Sequence, residues 1–282
     1  MARDTDPIPT TIIHPFRQMF YAFYGDLAKL SSEEEAKFTL SLMETNDYDS
    51  SPPYFFDYEV TSLVLLATQR IERVQFRLIV PMHYVYGGFL DPFLDAFHDI
   101  TNTLKSKHNI YGKNRVKIDF YSIHEDSPFF SFGNIELEAK TPIPNPYLDA
   151  AVSVGVKFPT GTKKLFSSKK PDYMAGLYLY KEIGGVALNF NFNMACLSKV
   201  EFDDVKSERM LYSYLLSLVY EEYVLEFRHI TSPFISPHRS LSSNSNVINL
   251  GYRFKNFEFF LSENIAPFYG SPDITFGINY RF

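Results

Sequence analysis

Strict alternation of apolar and polar residues is the feature that most limits what this chain can fold into. In "GVALNFNFNMAC", Val186, Leu188, Phe190, Phe192 and Met194 fall on one face, and Asn189, Asn191 and Asn193 on the other. Successive side chains of a strand point to opposite faces, so such a segment suits a sheet with one apolar and one polar surface. "NVINLGYRF", "NIELEAK", "NRVKIDF" and "YLDAAVSVGVKF" alternate in the same way, as do less regular stretches near 18–25, 36–45, 55–68, 72–83, 172–182, 208–219, 222–231, 256–264 and 274–282. Together they predict about 14 strands, with 12 as the alternative. Their length suits a tilted strand that crosses a bilayer.

The polar faces carry full charges: Arg77, Arg115, Lys117, Asp119, Glu136, Glu138, Lys157, Arg253 and Glu258. In a soluble sheet these would meet bulk water, whereas in an outer-membrane barrel they line the lumen and the apolar face meets lipid. Three features select the second arrangement. Short links such as "EIGG", "YEEY", "KN" and "PIPNP" alternate with longer ones near 159–171, 196–207, 232–246 and 265–273, which places short turns on one rim and long loops on the other. The 28 Phe and 20 Tyr supply aromatics for girdles at two interfaces, although Trp is absent. Finally, "DITFGINYRF" resembles the C-terminal targeting strand of bacterial outer-membrane proteins, with Ile274, Phe276, Ile278, Tyr280 and Phe282 at alternate positions. The expected fold is one all-β domain over residues 1–282, a transmembrane antiparallel up-and-down barrel located in the bacterial outer membrane.

Other classes drop out. A net charge of −6 argues against a nucleic-acid partner, and a lone cysteine says nothing about compartment. No apolar run is long enough for a membrane helix. The opening "MARDTDPIPTTIIHP" lacks the pattern of a signal peptide. That leaves a cytosolic chain or one whose leader was removed before this numbering.

One segment breaks the alternation. Residues 86–113 set Phe89, Phe93 and Phe97 at helical spacing, with Asp91, Asp95 and His98 between them, which predicts a short amphipathic helix at or in the barrel mouth. Strands counted back from Phe282 put this insert on the short-turn side, folding up into the mouth from below.

"GGFLDPFLDAFHD" followed by "GKNRVKIDFY", the early "IIHPFRQMFYAFYG", and "AVSVGVKFPTGT" with the later "PDYMAGLYLY" resemble, in that order, the motifs of a bacterial outer-membrane family catalogued only as a domain of unknown function. That family is similar in turn to phenol-degradation and long-chain fatty-acid transporter-like barrels, whose "PTG" stretch matches Pro159, Thr160 and Gly161. The resemblance spans residues 12–182 and departs at "SPFFSFGNIE", where a glycine-rich turn is reduced to Gly133. It implies an outer-membrane barrel and names no cargo or reaction.

For function the expectation is a channel or transporter for a small solute, hydrophobic solutes included. A closed structural or surface-interaction barrel is the alternative, and a membrane-embedded lipid hydrolase the second. For the hydrolase, "RHITS" places His229 and Thr231 on one strand face with Ser232 just beyond, but a nucleophile also needs a base in reach and an orienting group. His98 beside Asp95 and Asp99 reads as a solvated helix face, so no metal and no cofactor is expected. The expected partners are membrane lipid and lipopolysaccharide, the barrel assembly machinery and a small apolar solute.

Overall fold

The alternating segments pair, in a computed structural model, into one antiparallel sheet that closes on itself. The structure describes residues 4–32, 36–49, 55–90, 92, 114–202, 204–265 and 274–282. The wall strands run in chain order as β1 (Lys37–Asp49), β2 (Phe55–Ile71), β3 (Val74–Tyr86), β4 (Ile135–Ile143), β5 (Asp149–Phe158) and β6 (Asp172–Ile183). They continue as β7 (Val186–Cys196), β8 (Met210–Tyr220), β9 (Tyr223–Ile230), β10 (Ser245–Phe254), β11 (Phe257–Asn264) and β12 (Ile274–Arg281). Each pairs with its neighbour in sequence. The circle closes between β1 and β12, from Thr39 opposite Arg281 to Asn46 opposite Ile274. Phe38 and Phe282 then exchange both backbone hydrogen bonds at the rim. Closure leaves the wall without an unpaired strand edge.

Two of the expected 14 crossings are absent from this wall, which accounts for its twelve strands among the described residues. Residues 18–25 form no strand and lie inside the barrel. Residues 117–120 do form one, but it pairs with Phe55–Asp57 at the start of β2 and with the short strand Ile123–Glu125, and so sits above the wall. Losing these two changes the rim from which the link after Tyr86 starts. Tyr86 ends β3 on the side of the long loops, so the link leaves the wall there and not on the expected short-turn side.

The described start of that link lies on the outer surface, against the wall rather than in the mouth. Glu59 accepts the backbone N–H groups of Phe89 at 2.9 Å and Leu90 at 2.6 Å. Leu90 packs on Ile274, Leu261 and Phe276. Gly88 sits at a φ of +67°, and a Cβ there would come within 1.7 Å of the Glu59 carboxyl carbon, so only glycine fits. Asp91, Phe93, Asp95, Phe97 and His98 lie outside the described residues.

The wall buries alternate residues. In β3, Gln75, Arg77, Ile79 and His83 are buried, while Phe76, Leu78 and Tyr84 are exposed. The exposed set continues around the barrel with Leu137, Val154, Leu216, Leu225, Leu250 and Ile278, so the outward surface is an apolar belt. At the short-turn rim, outward rings touch: Tyr223 with Tyr252 at 5.4 Å, and Phe257 with Tyr280 at 4.8 Å. In the terminal strand, Ile278 and Phe282 are exposed outward, and Ile274 is covered by Leu90.

On the inner face Phe260 lies flat over Gly277, its partner across β11 and β12, and a Cβ at Gly277 would come within 2.1 Å of the ring. Gly277→Ala should therefore lower barrel stability by about 1–3 kcal/mol. Adding Phe260→Leu should recover part of that loss. The check is the urea midpoint of the refolded barrel for the three proteins.

Candidate functional site

The lumen is occupied by the chain's own N-terminal segment. Residues 7–25 of it are buried without interruption, and the path can be followed from its contacts. Arg253 on β10 donates to the carbonyl oxygens of Asp4 (2.7 Å) and Asp6 at the short-turn rim. Glu226 on β9 accepts the N–H of Ile8 at 2.7 Å. A one-turn helix, Pro15–Gln18, marks the apex near the long loops. The chain then returns. Asn134 reaches the carbonyls of Gln18 and Met19, Glu136 on β4 takes the N–H of Ala22 at 2.6 Å, and Gln75 near the β2–β3 turn takes that of Ser31 at 2.7 Å. Both ends of this excursion therefore lie on the same rim.

An irregular backbone in a confined space must have its N–H and C=O groups satisfied by something other than a ladder. Here the wall's polar side chains do that work. Arg77 is the densest example: Nε and Nη2 reach Glu138 Oε2 at 2.9 and 2.6 Å, and Nη1 donates to Gly25 O at 3.0 Å. Tyr21 gives its hydroxyl to the same carboxylate at 2.8 Å. Lys140 bonds Asp26 and the Leu27 carbonyl, each at 2.6 Å. Lys157 pairs with Asp172 at 2.9 Å and donates to Met19 O at 2.8 Å, with neither charged side chain exposed at all. Mixed signs thus occur together, as burial of charge demands.

The apex is apolar. Phe16 sits among Phe120 (4.5 Å between ring centres), Phe56 (5.2 Å) and Phe202 (6.4 Å), and Phe20 meets Phe234 at 5.3 Å. His14 is pushed down to about 3 by burial and by the charge of Arg17. It is therefore a neutral imidazole, and its Nε2 lies 3.2 Å from Asp47. Two water-sized cavities of about 20 Å³ each flank the segment.

Of the charged residues expected on the lumen, Arg77, Glu136, Glu138, Lys157, Arg253 and Glu258 are buried inside the barrel. Arg115, Lys117 and Asp119 are not among them. Lys117 and Asp119 pair with each other at 3.0 Å and Arg115 with Asp57 at 3.3 Å, half exposed, while Val116, Ile118 and Phe120 turn to the core. This strand stands beyond the wall, with its apolar side on the core and its charged side turned outward, as at the surface of a soluble protein. Glu226 and Arg228 were legible from the same alternation in "YVLEFRHI". The lumen role of "IIHPFRQMFYAFYG" is not, because its stretch near 18–25 alternates loosely enough to read as a strand.

The hydrolase reading finds its residues apart. His229 Nδ1 bonds Asn246 Oδ1 at 2.7 Å. The Ser232 hydroxyl instead donates to Leu241 O at 2.6 Å, and Thr231 Oγ1 accepts the N–H of Tyr212 at 3.0 Å. No hydroxyl among these is held on His229.

No family model matches the chain. No curated protein matches it either. Among solved structures, an outer membrane channel from Pseudomonas putida F1 is similar, with a TM-score of 0.54 and 12% identity over 87% of this chain and 94% of that one. The CymD monoaromatic hydrocarbon channel gives a TM-score of 0.41 at 12% identity over 87% of each chain. OmpF of Salmonella typhi gives 0.36 at 9% identity over 88% of this chain and 97% of that one. The first likeness shows a shared barrel fold.

Proposed function

We propose that the protein is an outer-membrane channel for a small solute, closed in this conformation by its N-terminal segment. The apolar outward belt supports residence in a bilayer, with lipid and lipopolysaccharide around it and insertion by the barrel assembly machinery. The short-turn rim faces the periplasm in this reading and the long loops face outside. The observation that carries the reading is that residues 4–32 fill the lumen through side-chain bonds to their backbone, and enter and leave by one rim. A loop held in this way can be withdrawn toward the periplasm without opening a single strand pair. The aromatic apex fits an apolar solute among those admitted once the segment moves.

Planar-bilayer conductance of the full chain and of a variant lacking residues 4–32 tests this. The full chain should be closed for most of the record and the variant should show steps. A synthetic peptide of residues 4–32 added on the short-turn side should close it again. A variant that assembles and never conducts would favour the closed structural barrel, a reading that the buried lumen segment also supports.

A further inference from the structure

Among the described residues, Arg228 is the large cation of the inner wall whose bonding is left incomplete. It projects from β9 into the lumen and is only 2% exposed. Nη1 donates to the Phe23 carbonyl, while Nε and Nη2 have no acceptor. Among the described residues it has no ion pair. Glu226, two residues away on the same face, already accepts Ile8 N–H at 2.7 Å and Asn249 Nδ2 at 3.0 Å. The other charges nearby are equally committed: Arg77 is held by Glu138 at 2.6 Å. A guanidinium cannot shed its proton to escape burial, so two vacant donors on a buried cation are costly unless something accepts from them.

One of the two small cavities lies at this side chain. It measures about 20 Å³ and is bounded by Thr10, Thr11 and Ile12 of the lumen segment, Arg228 and Val247, and the polar wall residues Asn249, Ser262, Asn264 and Thr275. That is room for one water-sized species. We propose that it is a site for one small monovalent anion of chloride or bromide size, which latches residues 10–12 to the wall. Water could accept from Nε and Nη2 and leave Glu226, two residues away on the same face, as the guanidinium's counter-charge; an anion accepts from them and adds a second negative charge beside it. Around the cavity the Ser262 hydroxyl can complete the anion's shell, whereas the Thr10 and Thr275 hydroxyls are engaged by Thr11 O and Thr45 Oγ1. Bulkier anions are excluded by the volume. The latching role rests on the closed-channel reading, whereas occupancy of the site does not.

The test uses the full-length protein. Crystals soaked in bromide should show one anomalous peak beside Arg228 Nε, absent from Arg228→Gln. The unfolding temperature should be higher in chloride than in gluconate at equal ionic strength, by on the order of 2–4 °C. That difference should vanish in Arg228→Gln. An ordered water only, with no anomalous peak and equal unfolding temperatures in the two salts, overturns the proposal. If Arg228→Gln does not assemble, the wild-type peak and salt comparison still decide. Conductance of the variant lacking residues 4–32 is read separately, so failure of the channel reading and failure of the anion site remain distinguishable.

Discussion

Lys157→Met should destabilise the refolded barrel by about 3–5 kcal/mol, the cost of leaving a buried partner charge unpaired. Lys157 and Asp172 are both 0% exposed and 2.9 Å apart. The ammonium also holds Ser168 Oγ at 2.6 Å and Met19 O at 2.8 Å, so it ties the β5–β6 loop and the returning limb of the lumen segment to one point. Asp172 retains only the Ser198 N–H, at 2.7 Å, after the substitution. The double variant Lys157→Met with Asp172→Asn should regain most of the loss, since a neutral pair in the same volume removes the stranded charge. Equilibrium urea unfolding of both variants measures this. A single variant within about 1 kcal/mol of wild type would mean that the pair is solvated and not a clamp.

The second large effect is expected at Arg77. Its fork binds Glu138 twice and the Gly25 carbonyl once, and it lies 3.7 Å from Asp26. Arg77→Leu strands the Glu138 carboxylate with Tyr21 as its remaining partner and frees the backbone near Gly25, at a cost of about 3–5 kcal/mol. Lys140 still holds Asp26, so the segment should loosen locally before the wall does. The expected outcome is proteolytic cleavage between residues 20 and 32 from the short-turn side, together with longer conducting episodes in bilayers. Arg77→Lys should rescue little, because one ammonium cannot serve the carboxylate and the carbonyl in the same fork. Unchanged protease resistance in Arg77→Leu would show that the segment is held elsewhere.

Period two in the sequence determined the strands, their faces and the alternation of short and long links. These properties depend only on successive residues and on the rule that one face must meet an apolar medium. "GVALNFNFNMAC" could be read without a structure because each Asn points where its neighbours do not, and the observed β7 keeps that register against β6 and β8. Charges on the inner face of β3, β4, β5, β10 and β11 were legible for the same reason. Arg115, Lys117 and Asp119 show where that reasoning stops. A strand carries the same pattern within the wall and above it, and only its height relative to the wall decides which face is turned outward. The N-terminal segment marks the other boundary. Its aromatic run alternates loosely enough to read as a strand, yet its backbone bonds go to Glu226, Glu136, Asn134, Gln75 and Arg253, residues far away in the chain. Whether charged inner faces line water or grip a polypeptide is decided by contacts between distant residues, and those exist only once the barrel has closed around the segment.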